Sequence, residues 1–180
     1  MYRGEKVLLR AYKSDDTEKA YEYVNDAELM RYLSPNVAFP MTYKEEKEWV
    51  EAQGQNKDGT YNFAIEDLES GRYIGGCGIN EVNWLTRVVT VGIMIGDKDY
   101  WGRGYGTDTM NTLIKFIFSN MNVNKIKLYT FSFNERAQRC YEKCGFKVEG
   151  ILKEEVFKDG QYYDEVIMSI FKNQWDQGDI

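Results

Sequence analysis

Asp99-Tyr100-Trp101-Gly102-Arg103-Gly104-Tyr105-Gly106-Thr107-Asp108 sets three alternating glycines between a strand-forming run, residues 87–95, and an amphipathic run, residues 107–120. Glycine lets the backbone turn sharply and brings its N–H groups close to a ligand with no Cβ in the way. A helix that starts at such a loop points its unpaired N–H groups and its positive dipole end back at it, which suits a phosphate or diphosphate. Arg103 adds a full positive charge. The familiar phosphate loops match poorly. A P-loop needs Lys and then Ser or Thr after its last glycine, whereas Thr107 follows Gly106 directly. A dinucleotide fingerprint needs two residues between its second and third glycines, and only Tyr105 stands there. The stretch reads either as a diphosphate cradle or as a tight strand-to-helix turn whose glycines serve geometry alone.

Working outward, the chain alternates strands with helices and carries no repeat, low-complexity tract or linker. Residues 6–12 read as a strand, and residues 14–25 as a helix opened by Ser14, Asp15 and Asp16. A loop holds Ser34-Pro35-Asn36 and Phe39-Pro40; Thr42 with Glu45 is a capping-box signature for a helix reaching about Gln53. Residues 61–67 and 72–82 predict a hairpin around Glu69-Ser70-Gly71, and residues 87–95 return as the next strand. Past the glycines, Met110, Leu113, Ile114 and Ile117 share one helix face. Residues 125–132 read as a strand; Asn134 caps a helix that runs to about Lys143 and ends at Gly145. Residues 146–157 and 161–171 pair around Asp159-Gly160. The sum is a single α/β domain over residues 1–180, with about seven strands in one mixed, mostly antiparallel sheet and about four helices.

Composition narrows the chemistry. The 180 residues are enough to bury a sizeable core, and no apolar run approaches the ~20 residues of a membrane span. The first residues, Met1 to Glu5, lack the apolar core of a signal peptide. Three cysteines, Cys77, Cys140 and Cys144, read as reduced thiols of a cytosolic protein; without His or a CxxC pair no metal site is expected. The absence of histidine excludes Ser-His and Cys-His triads, so proton transfer falls to Glu, Asp, Tyr, Lys, Cys or water. A net charge of −6 speaks against a nucleic-acid partner and toward a cationic one.

The second informative segment is Asn134-Glu135-Arg136-Ala137-Gln138-Arg139-Cys140-Tyr141-Glu142-Lys143-Cys144-Gly145-Phe146. Asn134 opens the helix, where its side chain caps the backbone or meets a ligand. Tyr141 falls two turns later on the same side as Ala137, Cys140 and Cys144, a position that also suits plain core packing.

Together with residues 92–107 and the closing Asp164-Glu165-Val166-Ile167-Met168-Ser169, this order and spacing resembles the GCN5-related N-acetyltransferase (GNAT) superfamily. Within it the chain looks most like the RimJ/RimL-like branch of ribosomal-protein N-terminal, spermidine and aminoglycoside acetyltransferases, from Lys6 to Trp175. The resemblance implies acetyl-CoA as co-substrate, no metal, and direct acetyl transfer to a primary amine in a ternary complex. It implies that Met94, Ile95 and Gly96 offer backbone groups to the pantetheine arm, and that Gly102, Arg103, Gly104, Tyr105, Gly106 and Thr107 hold the diphosphate. Asn134 would then contact the cofactor arm, and Tyr141 would sit beside the sulfur as general acid. Trp101 departs from the Gln or Arg that often begins the family motif, and Thr90 departs from a frequent Glu. A homodimer is common in that branch. The rival reading is a non-catalytic acyl-CoA-binding module.

The thiol pKa near ~8.5 against ~10 for tyrosine makes full proton transfer from Tyr141 uphill by roughly 2 kcal/mol, so its role is chiefly hydrogen-bond donation. Glu81, late in the third strand, is the leading candidate base because related acetyltransferases place an acid there; Glu66 and Asp67 follow by the same logic. The acceptor site is expected from the first two helices and the loop at 34–40, with Tyr32, Phe39 and Trp84 as lining candidates. A small cationic amine and a protein N-terminus both remain open as acceptor.

Overall fold

The computed structural model describes residues 1–53 and 60–176. Its strands are β1 (Tyr2–Arg3), β2 (Val7–Arg10), β3 (Tyr61–Asp67), β4 (Tyr73–Asn83), β5 (Val88–Ile95), β6 (Lys125–Phe131), β7 (Lys147–Lys158) and β8 (Gln161–Phe171). They form one sheet in the order β1-β2-β3-β4-β5-β6-β8-β7, antiparallel throughout except where β5 meets β6. The helices are α1 (Thr17–Val24), α2 (Ala27–Arg31), α3 (Tyr43–Ala52), α4 (Tyr105–Asn120), α5 (Glu135–Lys143) and α6 (Lys172–Asp176). The mixed sheet matches the sequence expectation, with one strand and two helices more. The additions are the two-residue β1 and the five-residue α2 and α6. None of them is long enough to display a period. The helix expected over residues 14–25 starts as a 3-10 turn, Ser14–Asp16, before α1.

Alternation along the strands sends neighbouring side chains to opposite faces. Leu9, Ile65 and Ile74 pack with Met110, Leu113, Ile114 and Ile117 of α4 on one face. Ala64 and Tyr73 pack with Ala20, Tyr23, Leu29 and Val50 of α1, α2 and α3 on the other. The capping box forms as expected: the Glu45 amide donates to Thr42 Oγ1 at 3.3 Å and the Thr42 amide to Glu45 Oε2 at 2.9 Å.

The sheet opens at one place. β5 and β6 run parallel for three pairs only, Val88↔Lys125, Val89↔Ile126 and Thr90↔Lys127. Beyond Thr90, β5 stays with β4 as far as Gly75↔Ile95, and β6 stays with β8 as far as Phe131↔Glu165. Each strand follows its antiparallel neighbour, and a gap widens between them.

A buried carboxylate fixes the glycine loop at the end of β5. Tyr100 and Tyr105 bracket the loop, and their hydroxyls donate to Asp67 Oδ2 and Oδ1 at 3.1 and 3.2 Å. Ser70 Oγ donates to the same carboxylate at 2.6 Å, and the two tyrosine rings meet edge to face at 4.7 Å. Burial pushes the Asp67 carboxyl upward, but the Ser70 hydroxyl, the Glu69 and Ser70 amides and the Tyr100 hydroxyl outweigh it and hold it below the ordinary carboxylate value. A native pKa below the unfolded value of about 3.9 gives stability that is present at neutral pH and fades as pH falls through the native value. Asp67→Asn is therefore expected to cost about 1–3 kcal/mol in urea unfolding at pH 7, with a smaller difference from the parent below about pH 4. A difference independent of pH would show that the carboxylate charge is not what holds the loop.

Candidate functional site

A cleft of about 1080 Å³ follows the gap between β5 and β6 and passes from one helix layer to the other. Its floor is backbone. A Cβ on Gly75 would stand 2.0 Å from the Met94 carbonyl oxygen, so that carbonyl points at β4; the Gly96 amide donates to Ile74 O at 2.8 Å on the same side. By strand alternation Ile93 and Ile95 turn their backbone groups the other way, into the gap. The Ile95 carbonyl there accepts the Trp101 indole N–H at 2.7 Å. Of the three expected backbone partners, Met94 and Ile95 both line the cleft, but the Met94 carbonyl and the Gly96 amide are turned toward β4. Gly96 is glycine for packing, since a Cβ would meet the Tyr23 ring at 2.2 Å.

At the end of β5 the loop turns through left-handed conformations at Gly102 (φ 70°) and Gly104 (φ 89°), which glycine alone adopts easily. Nothing lies within 4 Å of a Cβ at Gly102, so backbone angle and not crowding requires glycine there. Gly102, Gly104, Gly106 and Thr107 line the cleft at the start of α4. Arg103 does not; its exposed guanidinium turns back to donate to Asp99 O at 3.2 Å. The Tyr105 ring is likewise in the core, bound to Asp67, leaving only its backbone for a ligand.

The other wall comes from the end of β6 and from α5. Asn134 Oδ1 accepts the Ala137 amide at 3.2 Å and caps α5, while its side-chain nitrogen has no partner among the described residues and the residue faces the cleft. Tyr141 is buried yet reaches the cleft, and no group among the described residues hydrogen-bonds its hydroxyl. Burial, then the neighbouring Cys140 and Cys144, push that hydroxyl above its ordinary value, so it is protonated throughout the working pH range. Cys140 also faces the cleft, its thiol held below the ordinary value by a hydrogen bond with Cys144 and lying 3.5 Å from Thr107 Oγ1.

The acids fall differently from the sequence expectation. Glu81 is exposed opposite Thr90 and does not line the cleft; a register shift between Ile79 and Glu81 leaves Asn80 there instead. Glu66 is paired with Arg10 and with Lys13 at 3.3 Å, and Asp67 belongs to the tyrosine clamp. Two other carboxylates line the cleft, Glu46 of α3 and Glu165 of β8. Burial raises both above the ordinary value, with Glu155 adding to the effect at Glu165, and no cation among the described residues pairs with either. The cleft's basic residues, Arg136, Arg139 and Lys143, all stand on α5. Phe39 and Trp84 are exposed and off the cleft, whereas Tyr32 lines it. Trp101 lies with the Arg136 guanidinium 3.6 Å above its ring.

The profile of the Acetyltransferase (GNAT) domain family matches residues 6–147. Spermidine N(1)-acetyltransferase of Escherichia coli K12 is 29% identical over 177 residues, 97% of this chain and 91% of that protein. The putative ribosomal N-acetyltransferase YdaF of Bacillus subtilis is 24% identical over 179 residues, 96% of this chain and 95% of that one. The crystal structure of spermidine N-acetyltransferase from Vibrio cholerae in complex with CoA and spermine has a TM-score of 0.83 at 26% identity, covering 94% of this chain and 98% of that one.

A side chain at a left-handed position costs about 1–2 kcal/mol, which corresponds to a factor of roughly 5–30 in an equilibrium constant. Gly104→Ala is expected to weaken CoA binding within that range in titration calorimetry while the chain stays folded. An unchanged Kd would mean that the loop does not hold the diphosphate.

Proposed function

Because the chain belongs to the GNAT acetyltransferase family and is an acetyl-CoA-dependent N-acetyltransferase, we propose that it passes the acetyl group directly to a primary amine of a small cationic acceptor. The single observation that carries this reading is the polarity of one continuous cleft. Strand backbone, the glycine loop and the α5 cations lie along the parted strands, and among the described residues Glu46 and Glu165 line the cleft with no cation paired to either.

The residues fit acetyl-CoA on their own chemistry. Ile93 and Ile95 offer strand-like hydrogen bonds to an extended amide-bearing arm, and the amide nitrogen of Asn134 offers another. The Gly102–Thr107 backbone receives a diphosphate at the start of α4. Bound there, acetyl-CoA supplies the thioester carbonyl carbon. The acceptor nitrogen attacks that carbon; the C–N bond forms, the C–S bond breaks with its electron pair leaving on sulfur as the CoA thiolate, and the proton lost from nitrogen passes to water. Tyr141 donates a hydrogen bond to the sulfur as charge develops. Its raised pKa favours this donation over complete proton transfer.

The acceptor must reach the site as the free amine. An amine near ~10.4 costs about 4–5 kcal/mol to deprotonate at pH 7, whereas an α-amine near ~7.7–8 costs close to ~1 kcal/mol. The two relatives named for spermidine support the polyamine side, and the one named for a ribosomal substrate supports a protein N-terminus. The carboxylates of the cleft favour the small polycation. Free thiols at Cys77, Cys140 and Cys144 support a reducing, cytosolic compartment. Exposed Val148, Ile151 and Leu152 along the outer strand β7 support a homodimer, which light scattering measures directly.

Thiol release from acetyl-CoA is the assay, run with spermidine, an aminoglycoside, lysine and short peptides with free N-termini. Turnover confined to peptides would overturn the small-amine reading. Direct transfer gives intersecting double-reciprocal plots; parallel lines would place the acetyl group on a protein thiol, with Cys77 and Cys140 both lining the cleft. Tyr141→Phe is expected to lower kcat by about 10²-fold while leaving CoA affinity unchanged. Unchanged kcat would remove Tyr141 from the mechanism.

A further inference from the structure

Glu46 is 3% exposed, yet it stands on the wall of an open cleft and no cation or hydrogen-bond donor among the described residues meets its carboxylate. The rest of α3 explains why this is unusual. Lys44 and Lys47 pair along the helix surface with Glu48 and Glu51, at 3.8 and 3.9 Å, and Glu45 is used in the capping box. Glu46 instead shares the buried side of the helix with Val50, four residues on. Burial is the sole cause that raises its carboxyl. An isolated buried carboxylate is costly unless a cation joins it.

Its surroundings suit an alkylammonium group. The Tyr12 ring meets Trp49 edge to face at 5.3 Å and Tyr73 at 5.9 Å, and all three line the same part of the cleft. Aromatic faces beside a carboxylate attract an organic cation and tolerate its methylene chain. Among the described residues, no Lys or Arg lines the cleft outside α5.

Position separates this carboxylate from the reacting centre. Glu46 belongs to α3, packed with Val50, Ala64 and Tyr73 on one face of the sheet. Tyr141 belongs to the core on the other face, with Ile74 and Met110. The gap between β5 and β6 joins the two. An amine attacking beside Tyr141 is therefore at a different place from a cation at Glu46.

Resting on the small-amine reading above, we propose that Glu46, with Tyr12 and Trp49, holds a second, non-reacting ammonium group of the acceptor. The enzyme thereby selects amines with two or more cationic nitrogens over monoamines of the same reach. Glu46 acts in binding and is not the base.

The test compares a diamine with a monoamine of equal length, 1,4-diaminobutane against 1-aminobutane, in the thiol-release assay with parent, Glu46→Gln and Glu46→Asp. In the parent, KM for the diamine is expected to be at least tenfold below that of the monoamine. Glu46→Gln should raise the diamine KM at least tenfold, leave its kcat within about twofold, and leave the monoamine unaffected; Glu46→Asp, which keeps the charge, should fall between. A Glu46→Gln effect equal for both amines, or one confined to kcat, would overturn the proposal. So would equal KM values in the parent, and in that case the acetyltransfer to small amines would still stand. Absence of turnover with every small amine, alongside turnover with peptides, would instead bring down the reading on which the proposal rests. Near-ultraviolet circular dichroism of each variant, matched to the parent, separates lost binding from lost folding.

Discussion

The parting of β5 from β6 after three parallel pairs is the constraint on which the rest of the molecule depends. Backbone N–H and C=O groups inside a protein are nearly always paired, because an unpaired buried group costs as much as a lost hydrogen bond. Here each strand stays with its antiparallel neighbour and gives up the parallel one, so Ile93 and Ile95 face a gap, where the Ile95 carbonyl already accepts the Trp101 indole N–H. An extended ligand carrying amides completes that pattern as a further strand would. The glycine loop leaves from the end of β5 and α5 follows the end of β6, so the loop and Tyr141 are set across the gap from each other.

Two further features shape the gap. The Asp67 carboxylate holds Tyr100 and Tyr105 on either side of the loop, so the backbone donors are arranged before a ligand arrives. Charge is divided along the cleft, with the basic residues on α5 and the unpaired acids on α3 and β8. A channel lined by charges of both signs suits the proposed pair of an anionic donor and a cationic acceptor. The Trp101 that replaces a polar motif residue is absorbed into this frame: its N–H meets the Ile95 carbonyl and its face carries Arg136.

The fold, the glycine turn and the helix starts beside the cleft were legible in the sequence because they rest on local chemistry. Left-handed turns need glycine at 102 and 104, and helix starts need Thr42 and Asn134, and residue types announce both. Which backbone groups of the strand turn toward β4 was not legible. The strand Val88–Ile95 is apolar on both faces, so its alternation carries no mark of which residues point at β4. Tyr105 and Arg103 stand in the motif, but spacing does not distinguish a residue that lends its amide from one that lends its side chain. Glu81 was displaced by a register irregularity that no propensity encodes. Glu46 was hidden among Glu45, Glu48 and Glu51, where it reads as part of a solvated helix face; its one mark is the four-residue spacing to Val50, the buried aliphatic of that helix. Two-residue and five-residue elements such as β1 and α2 exist through tertiary contacts and leave no periodic trace.

The account's central claim, that the parted strands receive the donor through gap-facing backbone, is tested most directly by residue-resolved amide hydrogen exchange along β5 with and without CoA. Slowed exchange on binding is expected at Ile93 and Ile95, with little change at Gly96, whose amide is already bonded to Ile74, or at Met94 on the β4 side. Equal protection along the whole strand, or none at Ile93 and Ile95 when CoA is bound, would contradict it.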